Sequence, residues 1–125
     1  MHIAIDAADV RPIYVQIMDE IRRALVLQTL APEDALPSVR QLAVQLRVNP
    51  NTVAQAYREL ERDGVVEMRR GQGTFALGIA ANGRERRALA REVAERALRD
   101  AHRNGVSAED LIKAVRTAAH LKSED

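Results

Sequence analysis

Cysteine is absent from this 125-residue chain, which rules out a disulfide framework and a thiolate metal site. Aromatic residues are nearly absent as well. With no tryptophan, one phenylalanine and two tyrosines, a core must come from Leu, Val, Ile and Ala. Lysine is scarce, Lys113 and Lys122 being the only two, so the basic complement is almost all arginine. No apolar run approaches the ~18 residues of a membrane span, and the N-terminus carries no basic-then-apolar leader. A cytoplasmic protein with no membrane attachment is therefore expected. Neither a GxxxxGK[ST] loop nor a clustered His/Asp/Glu or Ser/His/Asp arrangement occurs, which argues against an enzyme. His2, His102 and His120 lack metal-ligand spacing and are expected on the surface, with no metal and no cofactor.

What remains is globular in character: 46% hydrophobic and 30% charged, too apolar for a disordered chain. The length suits one compact domain with a short appendage. Net charge is +1, from 19 basic and 18 acidic residues, so the distribution of charge must decide for or against nucleic acid. Arginine's planar fork suits phosphate and guanine. Compositional bias of a genome would enrich arginine equally.

The pattern along the chain predicts mainly helix with one small β-hairpin. After Val10-Arg11-Pro12, Ile13, Ile17, Ile21 and Leu25 recur at helical spacing to about Gln28, with Asp19, Glu20, Arg22 and Arg23 on the opposite face. Pro32 to Pro37 reads as a loop. Ser38 with Gln41 forms a capping box ahead of Val39, Leu42, Ala43 and Leu46. That second helix stops near Arg47-Val48, and Asn49-Pro50 starts a third at once, with Val53, Ala56, Tyr57 and Leu60 inward and Asp63-Gly64 as its stop. Val65 to Arg69 and Thr74 to Leu77 then read as strands around Arg70-Gly71-Gln72-Gly73. Helix, helix-turn-helix and hairpin in that order make a winged helix-turn-helix over residues 1–77. Residues 78–83 read as a linker. Residues 84–125 form a two-helix hairpin broken at Asn104-Gly105 and capped by Ser107, with Glu92–Arg96 and Glu95–Arg99 spaced to support the first of the two helices.

The third helix leaves Asn51, Thr52, Gln55, Arg58 and, further on, Arg62 outside. Asn and Gln pair with adenine, Arg with guanine, and Thr reaches a phosphate or a thymine methyl. Any surface helix shows a polar outer face, so the companions matter. Ser38 and Arg40 stand where free N–H groups and a cation hold a phosphate. Arg69, Arg70, Gly71, Gln72 and Gly73 form a basic hairpin tip suited to the backbone or minor groove. Double-stranded DNA is the expected partner. A protein-interaction module would show apolar anchors on the third helix, and an architectural DNA protein would be far more basic. Residues 36–75 hold six arginines against three glutamates and one aspartate, a net of +2.

Leu36-Pro37-Ser38-Val39-Arg40, Asn49-Pro50-Asn51-Thr52-Val53, Ala56-Tyr57, Leu60-Glu61, Gly64 and Gly71-Gln72-Gly73-Thr74-Phe75 resemble the GntR family of bacterial regulators. The wording LPSVRQLA, VNPNTV and GQGTF, with a short two-helix tail, resembles its YtrA subfamily. The resemblance implies a sequence-specific repressor whose counterparts of Ser38 and Arg40 touch backbone or bases. Those of Asn49, Asn51, Thr52 and Gln55 lie at the major groove, and the wing glycines with Gln72 at the minor groove. It also implies a target such as the protein's own operon, often beside genes for an ABC transporter. Two departures stand out: Gln28 and Glu33 occupy a loop where the family usually has glycines, and Pro50 replaces an arginine common outside the subfamily.

About forty residues of tail cannot enclose a ligand pocket of ~300–1,000 Å³, and the sequence leaves open whether an effector exists. An unpartnered apolar stripe needs cover. A second copy is expected to meet Leu89, Val93, Ala97, Leu111, Ile112 and Val115 in a homodimer; the alternative packs the same residues on the first helix of their own chain.

Overall fold

In chain order the elements are α1 (Ile13–Val26), α2 (Val39–Leu46), α3 (Pro50–Arg62), β1 (Val66–Arg69), β2 (Gly73–Ala76), α4 (Arg84–Arg103) and α5 (Ala108–Glu124). The computed structural model describes residues 3–78 and 83–124. Most of the expected 78–83 linker, and His2, lie outside the described residues. The chain divides into two compact units, Met1–Leu89 and Ala90–Asp125. The boundary falls within α4, so its opening turns group with the first unit, where Arg84 reaches Asp63 at 3.7 Å.

Each helix of the first unit starts and stops on identifiable chemistry. Pro12, with φ fixed at −53°, leads into α1. At the start of α2 the box closes both ways: Gln41 N–H donates to Ser38 Oγ at 3.1 Å, and Ser38 N–H to Gln41 Oε1 at 2.9 Å. Asn49 Oδ1 accepts from Asn51 N–H at 2.8 Å, with Pro50 as the first residue of α3. Arg47, between α2 and α3, takes the left-handed conformation at φ 58°. So do Gln28 (φ 63°) and Glu33 (φ 74°) in the loop after α1. The loop keeps its turn there in spite of side chains that disfavour it.

The core gathers Ile17, Ile21, Leu42, Val53, Ala56, Tyr57, Leu60, Val65 and Val66, most without solvent exposure. Each fully buried aliphatic side chain contributes ~1.5–3 kcal/mol. The inner stripe of α3 is the one read from the sequence. On α1 two expectations need correction. Ile13 stays exposed, because it sits on the opening turn beyond the core's edge. Asp19, placed by helical spacing on the solvent face, is only 8% exposed. The segment before α1 folds over that face, with Ile3 buried and Ile5 packed on the core. Arg11 from this segment and Arg22 one turn along α1 supply the cations that make burial of the Asp19 carboxylate tolerable. Gln16 pins the same segment, accepting from Asp6 N–H at 2.9 Å and donating to the Arg11 carbonyl at 3.3 Å.

The hairpin pairs Val66 with Ala76 and Arg69 with Gly73. The stretch read as a plain loop adds a third row to it. Glu33 N–H donates to the Ala76 carbonyl (2.7 Å), Ala76 N–H to Asp34 (2.9 Å) and Leu36 N–H to Thr74 (2.8 Å), with Ala35 bridged to Phe75. This places β2 in the middle. The outer strand β1 is covered at one point by α3, where Glu61 accepts from Met68 N–H at 2.8 Å.

In the second unit, Gly105 (φ 71°) turns the chain and Ser107 Oγ accepts from Asp110 N–H at 3.1 Å to start α5. Glu92 and Arg96 pair at 3.3 Å. No described helix is long and apolar enough to cross a membrane.

Candidate nucleic-acid interface

Three elements carry the residues singled out in the sequence, and specific bonds fix them to one another. The Tyr57 hydroxyl, on the buried side of α3, donates to the Pro37 carbonyl at 2.6 Å, one residue before the cap of α2. Burial raises the pKa of this phenol above its ordinary value of 10.0, so it remains a donor. Leu36 N–H binds β2 and Glu61 of α3 binds β1, so the start of α2, the whole of α3 and the hairpin form one framework.

On that framework Ser38 and Arg40 are exposed at the N-terminus of α2. Asn49 and Asn51 are exposed at the start of α3, Thr52 and Gln55 are half-buried along it, and Arg58 is exposed beyond them. Arg70, Gly71, Gln72 and Gly73 are exposed at the hairpin tip, with both glycines at positive φ (76° and 118°). These torsions let the tip turn within a short connection.

The charge in this region is sorted. Glu59 is paired with Arg62, Glu61 holds the Met68 N–H, Asp63 meets Arg22 at 2.7 Å, and Glu67 lies 3.5 Å from Arg69. All four acidic side chains between residues 36 and 75 are therefore engaged. Arg69 is engaged too: its Nη2 donates to Glu33 Oε2 at 2.8 Å and its guanidinium lies 4.4 Å from the centroid of the Phe75 ring. The Glu33 hydrogen bond holds the Arg69 pKa above its usual range. Four exposed arginines, Arg40, Arg47, Arg58 and Arg70, have no ion-pair partner among the described residues. Arg47 had been read only as a helix end. Its place in the turn directly before the Asn49 cap was the available signal.

The expected tail residues separate. Leu89 falls in the first unit, half-buried. In the second unit Ala97 and Leu111 are half-buried, while Val93, Ile112 and Val115 are 59%, 49% and 56% exposed. Among the described residues no group of His, Cys, Asp and Glu is arranged to hold a metal ion.

Residues 13–76 match the gntR family of bacterial regulatory proteins. The chain belongs to the GntR family. It is a DNA-binding transcription regulator rather than an enzyme. It is similar to two Bacillus subtilis proteins over most of their length. One is the HTH-type transcriptional regulator YhcF, 44% identical, covering 86% of this chain and 89% of the relative. The other is the HTH-type transcriptional repressor YtrA, 39% identical, covering 87% and 85% respectively. A solved structure of YtrA from Sulfolobus acidocaldarius, a GntR-family transcription factor, superposes with a TM-score of 0.59 at 34% identity, covering 74% of this chain and 97% of that one. Within the GntR family the chain is of the YtrA type, a winged helix followed by two helices.

Proposed function

We propose that this GntR-family protein is a cytoplasmic repressor that reads an inverted-repeat operator as a homodimer. The observation that carries the reading is the sorting of charge. Carboxylates near the outer face are tied up, and Arg40, Arg47, Arg58 and Arg70 have no ion-pair partner among the described residues, on the framework that also carries Asn51, Thr52 and Gln55. In this reading Ser38, Arg40 and Arg47 hold phosphates. Asn49 caps α3 and sits beside the groove; Asn51, Thr52, Gln55 and Arg58 read base edges. Arg70, Gly71, Gln72 and Gly73 approach the minor groove.

The exposed Val93, Ile112 and Val115, with Leu89, Ala97 and Leu111, favour a second copy as the cover for the tail. Two recognition helices then address half-sites about one DNA turn, ~34 Å, apart. Occupying a promoter needs nothing beyond binding, which supports repression, and the name of the YtrA relative agrees. An operon encoding an ABC transporter is the target the resemblance suggests.

Selection of the purified protein on random duplex DNA tests the reading. An inverted repeat emerges, and Asn51→Ala or Arg58→Ala each relaxes preference at one base pair per half-site, by ~1–3 kcal/mol. No enriched sequence, together with binding that vanishes at moderate salt, would replace the operator reader with a protein-interaction module.

A further inference from the structure

Arg69 is the last residue of β1, opposite Gly73 and directly before the hairpin tip. The sequence groups it with Arg70 as a pair of cations at that tip. The two side chains have different surroundings. Arg70 is exposed and without an ion-pair partner among the described residues. The Arg69 side chain, 26% exposed, lies back across the hairpin's outer face over Phe75. It ends on Glu33 at 2.8 Å, with Glu67 at 3.5 Å beside it. Glu33 is itself fixed to β2 through its backbone, 2.7 Å from the Ala76 carbonyl. One side chain therefore crosses from β1 over β2 to the segment that leads into α2.

We propose that Arg69 is a positioning residue of the DNA-reading surface, a strap that holds the wing tip in register with the start of α2, and that Arg70 is the wing's DNA-facing cation. The proposal rests on the reading of the wing as a DNA contact. A two-stranded ribbon is marginal by itself, and a tip with two positive-φ glycines has little stiffness of its own. A strap across the third row gives the tip a fixed origin before DNA arrives, so less ordering remains to be done on binding. The carboxylates of Glu33 and Glu67 also neutralise Arg69, leaving it little attraction to offer a phosphate.

The test uses the full chain and the operator obtained by selection, for wild type, Arg70→Ala, Arg69→Ala, Glu33→Ala and the Glu33→Ala/Arg69→Ala double variant. Binding is followed across salt, hydroxyl-radical protection is mapped at the wing, and amide exchange of Leu36 and Ala76 is measured without DNA. Arg70→Ala lowers the slope of log affinity against log salt by about 0.9 per bound protomer. Arg69→Ala and Glu33→Ala each weaken binding roughly 3- to 10-fold with the slope unchanged, because ordering rather than charge is lost. Both weaken wing protection without abolishing it, since Arg70 still reaches its phosphate, preserve the base preference of α3, and speed exchange at Leu36 and Ala76. The double variant is no worse than either single one.

A slope for Arg69→Ala that falls like that of Arg70→Ala would overturn the proposal. So would tighter binding by Glu33→Ala, the signature of a carboxylate that merely repels DNA, or losses that add in the double variant. Unchanged exchange in both single variants refutes the strap whatever DNA does. Faster exchange in a protein whose wild type protects no DNA at the wing upholds the strap and sinks the DNA reading instead.

Discussion

Replacing Tyr57 with Phe removes one atom from the middle of the framework. The ring stays in a site with no solvent exposure, so packing is retained and only the 2.6 Å bond to the Pro37 carbonyl is lost. A neutral hydrogen bond is worth ~0.5–1.5 kcal/mol net, and a half-buried carbonyl left unpaired adds to that, so the variant loses about 1–2 kcal/mol. For a unit of this size the melting temperature then falls by roughly 5–10 °C. Thermal unfolding read by circular dichroism, with urea titration as a second estimate, measures it.

The same substitution has a pH signature. Burial holds the folded-state pKa of Tyr57 above the unfolded value of 10.0, so above that pH the unfolded chain releases a proton that the folded chain keeps. The folded state then binds more protons, and stability falls as pH rises, by ~1.4 kcal/mol per unit from this group. The phenylalanine variant lacks the group. Its deficit therefore shrinks above pH 10 and closes about one unit higher, while the lysines and Tyr14 cancel in the comparison. A variant within ~0.3 kcal/mol of wild type at neutral pH, or a deficit constant to pH 11, would refute the assignment.

Ser38→Ala removes the hydroxyl that accepts from Gln41 N–H, while the backbone N–H of residue 38 can still donate to Gln41 Oε1, and lowers stability by ~1 kcal/mol in urea titration, besides weakening operator binding. Gln28→Gly relieves a left-handed residue at φ 63° and raises stability by about 0.5 kcal/mol after the entropy gained by the unfolded chain, whereas Gln28→Val lowers it by about 1 kcal/mol or more. In the proposed homodimer, Val115→Asp on the exposed stripe of α5 raises the dissociation constant at least about tenfold, visible as a monomer in sedimentation at micromolar protein.

The parts of the fold that were legible are those written in short-range chemistry. Ser38-Gln41 and Asn49-Pro50 fix where α2 and α3 begin by bonds spanning two or three residues, and the structure contains those bonds. Val53, Ala56, Tyr57 and Leu60 reveal the inner face of α3 by spacing alone. The third row of the hairpin was not legible, since Glu33 to Leu36 lie between prolines and show no alternation. Their pairing is dictated by the free edge of β2, a partner some forty residues away. Burial of Asp19 was hidden for a related reason. Helical spacing assigns a face but cannot reveal that the preceding segment folds over it carrying Arg11.

The site was legible as a set of residue types and illegible as a distribution of charge. Counting gives +2 over residues 36–75, a figure that by itself attracts DNA weakly. The structure shows that this small sum conceals an uneven arrangement. Arg62 and Arg69 are consumed by carboxylates, Asp63 is taken by Arg22 from α1, and Glu61 serves the backbone of β1. Subtracting these internal pairs leaves four arginines and no unengaged acid at positions 36–75. Such a surface attracts phosphate at a few points instead of along a broad stripe. Broad electrostatic attraction is the largest part of non-specific binding, so in the proposed operator reading a face with four unpaired arginines over residues 36–75 leaves base edges to add to the affinity. Asn51, Thr52 and Gln55, on α3 with Arg58, have the chemistry for that readout. The near-neutral composition is thus an argument for specificity once the pairing is known, because it limits how tightly the wrong sequence can be held.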